Sequence, residues 1–189
     1  MKILIKFFKI FINEFYNIIS TLISFYPDTF VGIGMRNWWF GRQFKSRKKK
    51  INLMQGFRVS YPRQITVGNR FSCNINNYLN CGGAGCNGIY IGDDVTLGPN
   101  VYVRTINHSY KLLNKDIRDQ GYDEKKIFYN SNYYSIIIEG NNWIGANCVI
   151  LPGSFIKKGA IIGAGSVVSG LIKGNSVYIP SPIKFAFKR

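Results

Sequence analysis

A six-residue repeat is the sequence feature that most constrains the fold. From residue 138 onward hexads follow one another without a gap, and an earlier block between residues 67 and 103 keeps the same period. Six residues at about 3.3 Å each make one short strand and a corner. Stacked coils of such strands bury a continuous apolar core, whereas an ordinary β-sandwich would not hold a strict period of six. The sequence therefore predicts an all-β fold, a β-helix. The first positions are apolar: Val67, Cys73, Leu79, Ile91, Leu97, Val103, Ile138, Ile144, Ile150, Ile156, Ile162 and Val168. The later hexads carry compact residues at position five: Asn142, Cys148, Ser154, Ala160 and Ser166.

Breaks in the phase of the repeat predict two excursions from the coils. Leu79 and Ile91 are 12 residues apart, whereas consecutive first positions are six apart, so one hexad is surplus. The surplus residues fall in the glycine-rich stretch NCGGAGCNG (80–88). Of the 35 residues from Val103 to Ile138, one coil takes 18, which leaves 17 for a loop within about 109–131. The segment 109–135 is polar and rich in Tyr, so it could bind a sugar or pack against another subunit. The same count places His108 and Trp143, each sixth in its hexad, at one corner of successive coils.

The spacing of polar and apolar residues in the N-terminal segment predicts an amphipathic helix. Polar residues recur at intervals of three and four in residues 1–26, and the other positions are mostly Phe, Ile and Leu. Interior lysines and Glu14 are atypical of a spanning helix, and no small-residue cleavage site follows. With the basic run at 42–50, residues 1–50 hold ten basic and two acidic side chains. Two interpretations stay open: peripheral contact with an anionic membrane, at the inner face of the cytoplasmic membrane, or a helix that caps the β-helix.

Composition narrows the partners and the chemistry. The net charge of +16 favours an anionic partner, but no nucleic-acid-binding module surrounds the basic residues, so we expect no nucleic acid. A single histidine excludes a metal site built on two or three His ligands, and we expect no metal. Four cysteines without a CxxC pair fit reduced thiols in the cytosol. We divide the chain into an N-terminal segment (1–59), the β-helix (60–180) and a tail (181–189).

Two stretches carry a resemblance to a known family. IGDDVTLGPNVYVRTINHS (91–109) and WIGANCVILPGSFIKKGAIIGAGSVV (143–168) resemble the hexapeptide-repeat acyltransferases, whose coils form a left-handed parallel β-helix. The galactoside, maltose and polysaccharide O-acetyltransferases are the nearest members, and the resemblance covers about residues 60–180. It implies acetyl-CoA as co-substrate, a carbohydrate acceptor, and a homotrimer with active sites between subunits.

The resemblance also suggests roles for individual residues. Acetyl transfer to a hydroxyl needs a base, and imidazole titrates near neutrality. His108, the only histidine, follows TIN as the family's catalytic histidine does, while Asn74 matches an acceptor-contacting asparagine and Trp143 a tryptophan beside the thioester. The family's Gly-x-Pro-Ala near the C-terminus is replaced here by residues 180–183 (PSPI), while the positions that match the coenzyme contacts are present. Those contacts would be Ala146, Ala164, Ser169 and the phosphate-binding Lys184.

We therefore expect an acetyl-CoA-dependent O-acetyltransferase that acts on a sugar hydroxyl of a surface polysaccharide or its lipid-linked precursor. The nearest alternative is an N-acyltransferase for a nucleotide-linked amino sugar, which would use the same base and coenzyme. A non-catalytic β-helix scaffold is a further alternative, against which His108 and the intact WIGANCVILPG stretch argue.

Overall fold

The computed structural model describes residues 2–46, 50–83 and 86–180, with only the backbone for residues 2–6 and 9. Two helices, α1 (Lys2–Phe25) and α2 (Phe30–Gly41), precede the strands, and 3₁₀ turns lie at Pro62–Gln64 and Ile117–Asp119. The strands are β1 (Ile51–Leu53), β2 (Arg58–Ser60), β3 (Ile65–Val67), β4 (Phe71–Cys73), β5 (Tyr78–Asn80), β6 (Gly88–Leu97), β7 (Tyr102–Arg104), β8 (Ile106–His108), β9 (Tyr122–Glu124), β10 (Ile127–Tyr129), β11 (Asn132–Ile144), β12 (Val149–Ile150), β13 (Phe155–Ile156), β14 (Ile161–Ile162), β15 (Val167–Val168), β16 (Leu171–Ile172) and β17 (Val177–Tyr178).

Parallel pairing between successive coils builds three faces. Face A contains β1, β4, β14, β17 and the second halves of β6 and β11. Face B contains β2, β5, β7, β12 and β15. Face C contains β3, β13, β16 and the first halves of β6 and β11, which bend from face C into face A. The predicted parallel β-helix is thus confirmed.

The first residue of each hexad points into the core. All twelve predicted inward residues are at most 4% exposed. Each buried aliphatic side chain of this size contributes about 1.5–3 kcal/mol relative to an exposed one. The strict period follows from this burial, because a one-residue slip would turn every aliphatic residue outward.

The fifth residue of a hexad binds the corner carbonyls. Asn142 donates from Nδ2 to the carbonyl oxygens of Lys157 (2.9 Å) and Ala160 (3.1 Å) on the next coil. The Ser154 hydroxyl lies 2.7 Å from the Leu151 carbonyl oxygen and 3.0 Å from that of Val168. Compact polar residues therefore satisfy backbone groups that a tight corner would leave unpaired.

Both predicted excursions are present, but the second is longer than expected. β6 resumes the repeat after the glycine-rich stretch with Ile91 buried and in phase. Ile138 pairs with Ile91 on face C, so it follows Val103 of face B with no extra coil between them. One step from face B to face C requires six residues, so the other 29 of the 35 residues belong to the excursion. It contains two antiparallel pairs, β8 with β9 and β10 with the start of β11.

The helices are fastened to the first coil. The buried Arg36 of α2 donates to the Leu53 carbonyl oxygen at 2.8 Å and to the Tyr26 carbonyl oxygen, and it pairs with Asp28. Ser24 of α1 is also buried and donates to the Phe57 carbonyl oxygen at 2.7 Å. Strand pairing already begins at Ile51, within the segment expected to precede the β-helix. Neither helix, as far as the chain is described, combines the length and apolarity that a membrane crossing requires.

Candidate active site

His108 ends strand β8 at the start of the long excursion. In the antiparallel pair it lies opposite Tyr122, and the two rings are 4.9 Å apart between centroids, tilted by 41°. The His108 side chain is exposed, so a substrate hydroxyl can approach it. Within residues 2–46, 50–83 and 86–180 no hydrogen bond to the imidazole is found, and the ring packs against Tyr122.

A buried threonine anchors the base of the β8–β9 pair. Thr105 is fully buried; its Oγ1 accepts a 3.0 Å bond from the Gly82 backbone N–H, and its carbonyl oxygen accepts a 2.7 Å bond from the Ser135 hydroxyl. A Cβ added to Gly82 would lie 2.1 Å from the Ile106 side chain, so the glycine-rich stretch leaves room for β8. The two excursions therefore pack on each other, and together they fix the strand that carries His108.

Asn74 lies on the corner that follows face A. Its Oδ1 accepts a 2.7 Å bond from the Ile75 backbone N–H, and the residue is exposed. The buried Asn77 supports this corner: Nδ2 donates to the carbonyl oxygens of Asn74 (2.7 Å) and Gly98 (3.0 Å), and Oδ1 accepts from the Val101 N–H (2.8 Å). These bonds hold the corner backbone in one conformation. The exposed Asn74 side chain, whose Oδ1 accepts from the Ile75 N–H, faces solvent.

Trp143, Ala146 and Ala164 belong to face A and the corner that follows it; the resemblance predicts coenzyme contacts for the two alanines. Trp143 pairs with Thr96 and Ile161 on the neighbouring coils and is 56% exposed. Ala146 and Ala164 occupy the following corner on successive coils. A Cβ added to Gly145 would lie 2.5 Å from the Ala164 nitrogen, so that corner is closely stacked.

The prediction that His108 and Trp143 share one corner is wrong. The hexad that begins at Val103 lies on face B, whereas the hexad that begins at Ile138 starts on face C. Their sixth residues consequently lie at different corners. Ser169 is also apart from the alanines, at the corner that follows face B, and Lys184 lies outside the described residues.

The aromatic residues of the excursion fall into two groups. Tyr129 and Tyr134 pack edge-on against Tyr90 with centroids 5.0 and 5.5 Å apart, and burial raises the pKa of Tyr90. The remaining four rings are more than half exposed, and two of them, Phe128 and Tyr133, pack against each other. The exposed group comprises Tyr110, Tyr122, Phe128 and Tyr133.

A hollow of about 430 Å³ lies between the Asn74 corner and face B. Tyr78 and Tyr102 line it with ring centroids 5.4 Å apart, and the Arg58 guanidinium lies 5.0 Å from the Tyr78 ring. Val101 and two amide side chains, Asn76 and Asn100, complete the lining. Such a mixture of ring faces and amides suits a sugar, but hexad counting alone did not identify it. Within the described ranges, no cluster of three His, Cys, Asp or Glu could hold a metal ion.

Comparisons with curated proteins place the chain beside sugar acetyltransferases. It is 38% identical over 94 residues to a galactoside O-acetyltransferase from Lactococcus lactis, which covers 50% of this chain and 40% of the relative. It is 30% identical over 115 residues to a putative lipopolysaccharide biosynthesis O-acetyl transferase from Escherichia coli, which covers 60% of this chain and 56% of the relative. The chain thus spans about half the length of these curated relatives. No family model matches the sequence.

Solved structures show the same fold. A maltose O-acetyltransferase from Clostridium difficile is 30% identical with a TM-score of 0.69, covering 89% of this chain and 81% of that one. A hexapeptide-repeat acetyltransferase from Vibrio cholerae, solved with acetyl coenzyme A, is 24% identical with a TM-score of 0.69, covering 88% and 81%. This chain belongs to the hexapeptide-repeat acetyltransferase family.

Proposed function

We propose that the protein transfers an acetyl group from acetyl-CoA to a sugar hydroxyl, with His108 as general base. The observation that carries the proposal is that the only imidazole of the chain is exposed at the end of an anchored strand, in a member of this family. The imidazole takes the proton of the acceptor hydroxyl as its oxygen attacks the thioester carbonyl. Backbone N–H groups stabilise the resulting oxyanion. The C–S bond then breaks, and the coenzyme thiolate takes the proton back from the imidazolium.

A surface polysaccharide or its lipid-linked precursor is the proposed acceptor. The names of the curated relatives, a galactoside and a lipopolysaccharide acetyltransferase, support a carbohydrate. The tyrosine-lined hollow beside Asn74 supports it too, because sugar rings stack on aromatic faces. The apolar, basic N-terminal segment favours an acceptor at the inner face of the cytoplasmic membrane, where the protein would bind peripherally.

The proposed active site forms between subunits of a homotrimer with left-handed coils. Within one chain His108 and Trp143 lie at different corners, so a neighbouring subunit would bring a tryptophan to each histidine. Acetyl-CoA would then lie along the stacked corner of Ala146 and Ala164. Ser169, and Lys184 at the phosphates, would complete its contacts. The predicted division into 1–59, 60–180 and 181–189 belongs to the same proposal.

Release of the coenzyme A thiol from acetyl-CoA tests the activity, with free sugars, a lipid-linked oligosaccharide and a nucleotide-linked amino sugar as acceptors. We expect turnover with a hydroxyl acceptor, and a loss of at least ~100-fold in both His108→Ala and the polar control His108→Gln. Coenzyme affinity should stay within a few-fold. Full activity in either variant would remove the mechanism, turnover only with the amino sugar would favour N-acylation, and no turnover with any acceptor would favour a scaffold.

Mixed oligomers test whether the site is shared. Co-expressed His108→Ala and Trp143→Ala subunits, each inactive alone, should regain about a quarter of the wild-type activity, since each residue comes from half of the subunits. If both residues act within one subunit, mixing restores nothing.

A further inference from the structure

We propose that α1 docks the protein on an anionic lipid bilayer through its phenylalanine-rich side, while its polar side faces the protein body. This inference extends the membrane location proposed above and assigns the surface that makes the contact. It starts from the direction in which the helix presents its apolar residues.

The apolar stripe of α1 is exposed along its whole described length. Its members recur at intervals of three and four, so they lie on one side of the helix. Each is between 53% and 70% exposed. A side chain of this size would be buried if the helix used this side to cap the β-helix. The stripe consists of Phe7, Phe11, Phe15, Ile18, Leu22 and Phe25.

The opposite side of α1 makes the contacts with the body. Tyr16 stacks on Trp39 of α2 with ring centroids 5.3 Å apart, and the Trp39 indole N–H donates to the Ser20 hydroxyl at 2.9 Å. Ser24, four residues further on, is buried and bonds the Phe57 carbonyl oxygen. These positions lie about half a turn away from the phenylalanines. The attachment therefore leaves the apolar stripe facing outward.

Only the last two turns of α1 pack closely against the body. Residues 7–18, apart from residue 9, are exposed on every side of the helix, whereas residues 19, 20, 23 and 24 are partly or fully buried. Arg36 holds the C-terminal end of α1 against the first coil, since it bonds the carbonyl oxygens of Tyr26 and Leu53 and pairs with Asp28. The helix therefore projects from a rigid base and presents about 27 Å of apolar surface between Phe7 and Phe25.

Charge favours a lipid surface over a second copy of the chain. Residues 1–50 carry ten basic and two acidic side chains, so two such segments repel each other. An anionic leaflet attracts the same residues. The sequence carries three lysines among its first nine residues, Lys2, Lys6 and Lys9, and a basic composition of this kind is typical of helices that lie in the membrane interface.

α2, next to α1, also exposes aromatic side chains. Phe30 and Trp38 are 95% and 61% exposed. The Arg42 guanidinium lies 3.9 Å from the centroid of the Trp38 ring. Tryptophan and arginine, with apolar bodies and polar tips, are favoured between hydrocarbon and water.

Co-sedimentation of the full chain with vesicles tests the inference. Phosphatidylcholine vesicles with and without phosphatidylglycerol are the probes, and the variant is Phe7→Ser/Phe11→Ser/Phe15→Ser, with Leu113→Ser as an exposed apolar control elsewhere. We expect wild type and control to bind the anionic vesicles, high salt to weaken binding, and the triple variant to bind at least ~30-fold less tightly. His108→Ala should bind as wild type does, so a failure of the catalytic proposal leaves this test intact.

Three outcomes would overturn the inference. They are a wild-type protein that stays in the supernatant with anionic vesicles, equal binding by the triple variant, and a triple variant that changes from oligomer to monomer. The last outcome would assign the stripe to a second copy of the chain. A truncation starting at Ile19 keeps the buried Ser24 contact and provides a second variant, which should stay folded but lose vesicle binding.

Discussion

Replacing Asn77 with alanine should destabilise the corner that carries Asn74. The side chain is fully buried and makes three hydrogen bonds to backbone groups, those of Asn74, Gly98 and Val101. Each neutral hydrogen bond contributes about 1 kcal/mol net, and buried groups left unpaired cost more. Since two of the three bonds are only partly buried, water can replace some of the loss. We expect Asn77→Ala to lower the free energy of unfolding by about 2–4 kcal/mol.

Two variants calibrate this value. Asn77→Ser places there the residue that the chain uses at the fifth position of other hexads, where Ser154 and Ser166 bond corner carbonyls. It should recover about a third of the loss, because the hydroxyl donates one hydrogen bond in place of the three that Asn77 makes. Asn52→Ala removes an exposed amide with a single 3.4 Å contact and should stay within about 0.5 kcal/mol of wild type.

Urea unfolding followed by circular dichroism measures the difference, at one protein concentration because oligomerisation shifts apparent stability. In a chain of this size a loss of about 3 kcal/mol lowers Tm by roughly 6–12 °C. If Asn77→Ala proves no less stable than Asn52→Ala, the side chain does not hold the corner and the reasoning fails.

Three further predictions concern the site and the core. Tyr122→Phe should keep turnover within about 3-fold, because the phenylalanine ring can still pack against His108. Tyr122→Ala should lower kcat about 10-fold and leave KM nearly unchanged, because the ring positions the base. Equal kcat values of the two variants in steady-state kinetics would contradict this. Thr105→Val should lower the free energy of unfolding by about 1–3 kcal/mol, measured by urea unfolding, and should also lower kcat in a turnover assay. An unchanged kcat would mean that other contacts hold the β8–β9 pair. In the native reduced protein, a thiol-specific reagent should label at most the half-buried Cys86, as mass spectrometry would show. The other three cysteines should not react, because burial raises the thiol pKa of Cys73, Cys81 and Cys148. Labelling of a second cysteine before unfolding would refute this prediction.

The hexad period predicted the core residue by residue, but it could not fix the length of an excursion. A period of six determines the surplus between Val103 and Ile138 only to within whole hexads, and the expected 17 and observed 29 residues differ by two of them. The wrong choice inserted a coil that does not exist. It also moved His108 to the corner of Trp143. Only the pairing of Ile138 with Ile91 resolves the count.

The candidate site was predicted in part for a similar reason. His108 stood out as the single histidine, and Asn74 and Trp143 came from the family resemblance. The sequence indicates Tyr122 only as one of several aromatic residues in the 109–135 segment, because its position opposite His108 depends on antiparallel pairing that the hexad period does not encode. Thr105 gave only a weak signal, a polar residue next to the base of a loop. Its role depends on the distant partners Gly82 and Ser135.

The N-terminal helix shows what a stripe of polar residues can and cannot establish. The intervals of three and four correctly predicted an amphipathic helix, yet they are compatible with either side facing the protein. In most surface helices the apolar side packs on the core, and that rule would have favoured the cap. Here the side of α1 that faces the body combines the hydrogen bonds of Ser20 and Ser24 with the partly buried Ile23, which packs against the core, while the phenylalanines stay exposed. The exposed phenylalanine stripe is what the proposed membrane contact requires, and vesicle binding by the triple variant, together with its oligomeric state, decides between a bilayer and a second copy of the chain.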